Sequence, residues 1–402
     1  MTTWRNIITL NAGSSSIKFA FFGMQQRQAP FLNASGLAEM ISKKQNWLRI
    51  KDGKGNLLFE HEWMDLSANA NFHQAAMVQI VAWLNEHYPT VEIVAVSHRV
   101  VHGGVKYDCP LVITPAVYKE LEALVPLAPL HQLHNLAGVR AAQEAWPKAL
   151  QIACFDTAFH RTHEYVNDAF AIPHEYYLEG VRKYGFHGLS YEFVSKKLKE
   201  LDAEKAKGRV IVCHLGNGAS MCAIRAGKSV ASSMGFTAVE GLPMGTRCGN
   251  IDPGVILYLL EEKKMTVEQV TELLYKKSGL KGMSNGISDM RELEAADTEQ
   301  AKFAIEYFVA RIKGELGRLT AALGGLDAIV FTGGIGENST YIREKVLTGM
   351  GWLGVLASYN ANKAGEQVIS MAESRVKVFV IKTNEEEMLA IHALEMVGMG
   401  NG

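Results

Sequence analysis

A chain of 402 residues, 48% hydrophobic and 21% charged, carries enough apolar material for two or three domains with large cores, which excludes a disordered chain. Its 41 basic and 42 acidic side chains leave a formal charge of -1, with no general field to draw in nucleic acid or an anionic membrane. The five cysteines (Cys109, Cys154, Cys213, Cys222 and Cys248) are odd in number and form no CxxC pair, which argues against a disulfide framework or a structural zinc site.

Residues Met1–Asn6 lead straight into an apolar run, unlike a signal peptide, and no run reaches the roughly 20 apolar residues of a membrane span. A soluble cytoplasmic protein is therefore expected. Ile7–Leu10, Val91–Val96, Leu150–Phe155, Arg209–Cys213, Ala328–Phe331 and Val376–Ile381 read as buried strands, with helical periods between them, an α/β pattern. Asp252-Pro253 reads as an N-cap followed by proline at the first helical position, and Thr266 with Gln269 as a capping box. Ile305, Phe308, Ile312, Leu316, Leu319 and Leu323 share one helical face.

No Pro- or Ser-rich linker divides the chain, but one internal echo suggests a duplication. Ile8–Leu10 runs into Asn11-Ala12-Gly13-Ser14-Ser15-Ser16 and then Ile17–Phe22. Val210–Cys213 runs into His214-Leu215-Gly216-Asn217-Gly218 and then Ala219–Ile224. Each is strand, small-residue turn, strand, as expected of two similar halves facing across a cleft.

Two common phosphate-binding motifs fail. Ala226-Gly227-Lys228-Ser229 ends like a P-loop but would need its first glycine at Cys222, and Gly334-Ile335-Gly336-Glu337-Asn338-Ser339 lacks the third glycine of the dinucleotide fingerprint. What remains are three loops of small residues at strand ends: Asn11–Ser16, His214–Gly218 and Thr332–Asn338. Taken singly, each is an ordinary tight turn. Together they suit a polyphosphate, because backbone N–H groups can approach it unobstructed, with hydroxyls from Ser14 and Ser16 and the charge of Lys18 to add.

These loops carry a resemblance. Asn11–Lys18 and Tyr184–Tyr191 closely resemble signatures of the acetate kinase family, as do Ser97–Gly104, Phe155–His160, His214–Gly218, Gly245–Pro253, Phe331–Asn338 and Thr383–Glu386. The blocks are in family order and span nearly the whole chain. The resemblance implies the duplicated actin/hexokinase/Hsp70-like (ribonuclease H-like) fold with ATP in an interdomain cleft, and a homodimer. Residues 1–155 with 387–402 are expected to form one domain, and 156–386 the nucleotide-binding one.

The reaction so implied sets an electrostatic problem. A carboxylate is already ionised at pH 7 and needs no general base; what opposes transfer is its approach to an anionic nucleotide. Fixed cations and a metal answer that need, so the site is expected to be rich in Arg, His and Mg²⁺. By resemblance, Arg99 binds the acyl substrate, while Arg247 and His187 stabilise the transferring phosphoryl group. Asp156 matches a catalytic acid, expected to orient an arginine or hydrated Mg²⁺ rather than abstract a proton. Asn11 and Glu385 match metal-associated residues, the latter with Glu386 and Glu387 beside it. The nucleotide, ATP or ADP, falls to Ser14, Ser16, Lys18, His214, Leu215, Gly216, Asn217, Gly218, Asp289, Met290, Arg291, Gly334, Ile335, Gly336, Glu337 and Asn338.

The acyl pocket by the same alignment includes Val101, Leu130, His131, Phe186 and Ala238. His131 is followed here by Gln132-Leu133, where the family continues with Asn-Pro. Ala238 stands where acetate kinases usually carry proline, and its smaller side chain leaves room for about one more methylene, worth ~1–3 kcal/mol. Propionate kinase is therefore the expectation, with acetate also used, and acetate kinase the alternative. A non-enzymatic actin/Hsp70-like ATP-binding module is the reading from a different class, disfavoured because no further domain is visible beyond about residue 382. A sugar or glycerol kinase would require a catalytic base for its hydroxyl acceptor.

Overall fold

A computed structural model describes residues 4–24, 29–40, 45–64, 72–128 and 131–399. The chain forms two compact units, Met1–Ala158 with Asn384–Gly402, and Phe159–Thr383. Asp156 and Glu385, expected in the second domain, belong to the first unit, where both form ion pairs with Arg99.

The first unit is built on strands β1 (Trp4–Ala12), β2 (Ser16–Gly23), β3 (Phe31–Met40), β4 (Gln45–Asp52), β5 (Leu57–Met64), β6 (Val91–Val100), β7 (Leu111–Val112) and β8 (Leu150–Phe155), ordered β5-β4-β3-β2-β1-β6-β8-β7. β3, β2 and β1 are antiparallel, while β6 runs parallel to β1 and β8 parallel to β6. The second unit holds β9 (Arg209–Leu215), β10 (Ala219–Arg225), β11 (Lys228–Ser232), β12 (Ala328–Thr332) and β13 (Lys377–Val380), ordered β11-β10-β9-β12-β13. Here too an antiparallel run of three is followed by two parallel additions. The echo between the two halves of the sequence is thus an echo of topology. The paired hairpins are β1–β2, closing at Ala12↔Ile17, and β9–β10, closing at Leu215↔Ala219.

Two expected boundaries move. Strand β6 runs on to Val100 rather than ending at Val96, because Arg99 and Val100 continue the ladder opposite Cys154 and Phe155. Arg99 therefore lies within a strand, not in the loop after it. The third small-residue loop is instead a short helix, Gly333–Asn338. It turns off β12 at Gly333, whose φ of +77° and approach to the Leu215 carbonyl, 2.8 Å from where a Cβ would sit, leave no room for a side chain.

The predicted caps are formed. The Asp252 side chain accepts from Gly254 N, and Thr266 and Gln269 make a reciprocal capping box. The helix Glu299–Leu323 buries all six residues of its predicted face and ends at Gly324 in the left-handed region, φ 69°. Tyr191, Val194, Val210, Val212, Val330 and Phe379 form a core between a helix and the second sheet.

The helix gives a direct test of this packing. Phe308→Ala, at a fully buried position, should destabilise the protein by about 3–5 kcal/mol through cavity formation. Phe303→Ala, on the same helix at 59% exposure, should stay within about 0.5 kcal/mol in urea unfolding.

Candidate functional site

In the first unit the chemistry gathers at the C-terminal ends of two parallel neighbours, β6 and β8. Asp156 follows β8 directly, and its N–H donates to the Val100 carbonyl at 3.1 Å, which carries the strand pairing past the last residue of the ladder. Its carboxylate meets Arg99 in a fork: Nε donates to Oδ1 at 2.9 Å and Nη2 to Oδ2 at 2.7 Å. Both Asp156 oxygens are thereby engaged by one guanidinium. Glu385 Oε2 lies 3.3 Å from Arg99 Nη1.

The start of the last helix, Glu385–Met399, decides which of three successive glutamates faces Arg99. Asn384 Oδ1 accepts from Glu387 N at 3.0 Å, and Asn384 Nδ2 donates to Glu387 Oε2 at 3.0 Å. Glu387 is thus used in the cap, while Glu386 lines a cavity of about 420 Å³ with Lys18, Phe19 and Asn384. Burial raises the Glu385 pKa above the usual carboxylate value; Arg99 opposes this, Asp156 adds to it, and Lys18 again opposes it. For Arg99 the balance is reversed. Burial alone would lower its pKa, but the carboxylates of Asp156 and Glu385 outweigh that and hold it above the ordinary arginine value.

Asn11 sits opposite Lys18 in the β1–β2 ladder. Ser14 lies in the turn before β2, and Ser16 opens that strand. Asn135, which sequence reasoning passed over, ties this hairpin to the arginine strand: its Nδ2 donates to the Ala12 carbonyl at 2.8 Å, and its Oδ1 accepts from Val101 N at 3.0 Å. His131 stands just before the helix Gln132–Ala145 that presents Asn135, with no side-chain capping bond, and its carbonyl accepts from Asn135 N. Val101 is buried; Leu130 lies outside the described residues.

In the second unit His187 precedes the helix Gly188–Leu201 in the left-handed region, φ 59°, an unusual conformation for a residue with a side chain. Its ring stacks on that of His214 at the end of β9, with centroids 4.3 Å apart and planes 20° from parallel. Nδ1 of His187 is 2.8 Å from Ser220 Oγ, and Nδ1 of His214 is 2.8 Å from Ser190 Oγ. Phe186 is buried, and its carbonyl is 2.9 Å from His160 Nε2.

Gly216, Asn217, Asp289, Met290, Arg291, Gly334, Ile335 and Asn338, drawn from three separated stretches of sequence, line one cavity of about 930 Å³. Ser288, Glu294 and Ser339 also line it and were not anticipated. Asp289 caps the helix Met290–Ala295, and it pairs with Arg291, Nη2 to Oδ2 at 2.7 Å.

His214 and Leu215 end β9, and Gly218 closes the turn that follows. Glu337 Oε1 accepts from Gly333 N at 2.8 Å and from Thr383 N at 3.0 Å, so this carboxylate staples backbone. Buried Arg343, also unanticipated, donates from Nη1 to the carbonyls of Gly336 and Glu337 at 2.9 Å. Arg247 Nη1 donates to the Ala238 carbonyl at 3.1 Å, which joins the expected phosphoryl cation to the expected pocket wall.

Two α/β units with one repeated sheet order, one carrying a carboxylate-oriented arginine and the other stacked imidazoles beside a glycine-lined cavity, define a phosphotransferase of the duplicated actin/hexokinase-like class. The profile of the Acetokinase family matches residues 6–391, and the chain belongs to that family, phosphotransferases with a carboxyl group as acceptor. An acetate kinase of Methylocella silvestris is 56% identical over 98% of both chains. The crystal structure of the Porphyromonas gingivalis acetate kinase superposes with a TM-score of 0.88 at 37% identity, covering 98% of this chain and 100% of that one. A propionate kinase from Francisella tularensis gives 0.87 at 36% identity, covering 96% and 98%.

The two carboxylates around Arg99 should respond oppositely to neutralisation. Asp156→Asn removes the forked partner of Arg99 and should cost about 3 kcal/mol. Glu385→Gln removes a carboxylate whose raised pKa makes its ionised form a burden on the folded state. It should leave stability unchanged or raised near pH 7, a benefit that fades as the pH falls toward the unfolded-state pKa of about 4.3. Denaturation midpoints of both variants at two pH values check this, and equal losses would contradict the arrangement.

Proposed function

We propose that this enzyme is an acetate kinase, transferring a phosphoryl group reversibly and directly in line between ATP and acetate to give acetyl phosphate and ADP. The observation that carries the reading is the fork between Arg99 and Asp156, a guanidinium held rigidly where an anionic acceptor needs a fixed cation. In this proposal Arg99 takes the carboxylate, and Val101, Leu130, His131, Phe186 and Ala238 keep the acyl-binding role that the family resemblance implies. Arg247 and His187 stabilise the charge on the transferring phosphoryl oxygens. Asp156 orients Arg99 and abstracts no proton, because the acceptor arrives ionised.

The residues fit a magnesium ion carried by the nucleotide. Mg²⁺ prefers oxygen donors and retains several waters, so one or two protein oxygens beside substrate phosphates suffice. Glu385, crowded by Asp156, is a carboxylate that added cationic charge would favour in its ionised form, and Asn11 offers an amide oxygen. When bound, the ion would supply further charge neutralisation at the phosphates.

Acetate is preferred over propionate because the Methylocella silvestris relative at 56% identity and a Nitrobacter hamburgensis relative at 47% are both named acetate kinases. The propionate expectation drawn from Ala238 becomes the second reading, favoured by that small side chain and by the similarity to the Francisella tularensis propionate kinase at 36% identity.

A cytoplasmic role in short-chain carboxylate metabolism agrees with the absence, among the described residues, of any helix long and apolar enough to cross a membrane. A homodimer is supported by the helix Pro253–Glu261, which buries none of its residues and exposes Val255, Leu257 and Tyr258.

Trapping acyl phosphate with hydroxylamine tests the proposal. ATP and acetate should yield hydroxamate with a higher kcat/KM than ATP and propionate. No product from either acid would remove the function, and a higher value for propionate would replace the first reading by the second. Ala238→Pro should depress kcat/KM for propionate about tenfold more than for acetate, and equal losses would dismiss the role of this side chain.

A further inference from the structure

The stacked histidines are held in a crossed arrangement that their motif alone does not require. Ser220 and His214 are directly opposed in the β9–β10 ladder, so their side chains share one face of the hairpin. His187, Ser190 and Tyr191 all come from the start of the helix Gly188–Leu201. The hairpin serine bonds the helix-start histidine, and the helix serine bonds the hairpin histidine. Each element thus supplies one imidazole and orients the other.

Each serine has a second hydroxyl partner behind it. Thr383 Oγ1 donates to Ser190 Oγ at 2.9 Å, and the Tyr191 hydroxyl bonds Ser220 Oγ. Tyr191 is fully buried in the apolar core of this unit, and burial raises its pKa well above the usual value, so its proton stays on. A buried phenol that did not donate would leave its hydrogen unsatisfied, which is costly. Tyr191 therefore donates to Ser220. Each serine, receiving from behind, keeps its one hydrogen available to donate forward to an imidazole Nδ1.

An imidazole that accepts at Nδ1 carries its hydrogen on Nε2. Nε2 of His187 lies 3.4 Å from where a Cβ on Gly218 would be, so this edge of the ring faces the small-residue turn after β9. Two charged rings stacked at 4.3 Å would repel each other, whereas two neutral ones can stack. We propose that the relays Tyr191–Ser220–His187 and Thr383–Ser190–His214 lock both rings as neutral Nε2–H donors, that of His187 aimed at phosphoryl oxygens, with Ser190 and Ser220 as positioning residues. This rests on the kinase reading above for the identity of the acceptor, but the tautomers themselves do not depend on it.

The test uses the full-length protein labelled with ¹⁵N in its histidine rings, with long-range proton–nitrogen correlation spectra recorded near pH 7. His187→Asn and His214→Asn assign the two ring signals. Both should show hydrogen on Nε2 and none on Nδ1. Ser220→Ala should convert His187 to a mixture of tautomers while leaving His214 unchanged, and Ser190→Ala should do the reverse. In acyl phosphate formation Ser220→Ala should lose about 10-fold to 100-fold in kcat, as when the orienting partner of a functional histidine is removed, with KM for ATP within about threefold. Ser220→Thr, which restores the hydroxyl, should recover most of the loss.

Hydrogen on Nδ1 of either ring, a doubly protonated ring, or a His187 signal unmoved in Ser220→Ala would each overturn the proposal. Normal turnover with an Nδ1–H spectrum would remove the relays and leave the kinase. The Nε2–H spectrum without acyl phosphate formation would uphold the relays and remove the kinase.

Discussion

Under the proposed function, the fork between Arg99 and Asp156 is the interaction on which the first unit's chemistry depends. It exists because β6 and β8 are parallel neighbours whose ladder runs in register to their C-terminal ends, so the arginine near one end meets the aspartate just beyond the other. A free arginine carries much rotamer entropy, and a forked carboxylate removes that freedom before any substrate arrives. The same pairing commits Asp156, whose two oxygens are both spent on the guanidinium. A reaction whose acceptor is already an anion can spare that carboxylate as a base, and needs the cation it orients.

Under the two proposals, the second unit meets a related problem with neutral groups. Its histidines come from a helix start and a strand end, and each is bonded through Nδ1 to a serine of the other element. The left-handed backbone at His187 is sustained by surrounding bonds, including that from buried His160 to the Phe186 carbonyl. Cationic side chains raise affinity for any anion, in the ground state and the transition state alike. Fixed dipoles aimed at developing charge act more selectively on the transition state. Under the proposed function the two kinds of group share the work in that way.

Much of this was legible in the sequence. Buried strands announce themselves by apolar runs, which is why six strands, the duplicated hairpins and the long helix at 299–323 could be read. Residue types in motif blocks pointed to Arg99, Asp156, His187 and Glu385. What escaped depends on contacts distant in sequence. Asn135 bonds Ala12 across 123 positions, and Ser220 bonds His187 across 33; no periodicity records either. The fate of Glu337, turned onto backbone, was hidden because a carboxylate in a glycine-rich stretch looks the same whether it meets a ligand or an N–H group. Ala238 is a different case. Its side-chain volume was visible and suggested a longer acyl chain, yet its carbonyl accepts from Arg247, so the position has a second constraint that volume does not express.

The central claim is that positive charge at fixed positions offsets the repulsion between two anionic reactants. It is tested most directly by initial rates of acetyl phosphate formation in Arg99→Gln and Arg247→Gln, changes that keep a polar side chain but remove the charge. Each variant, still folded, should lose about 10²-fold to 10³-fold in kcat/KM for acetate. Turnover within a few-fold of the unaltered enzyme in either variant would contradict it.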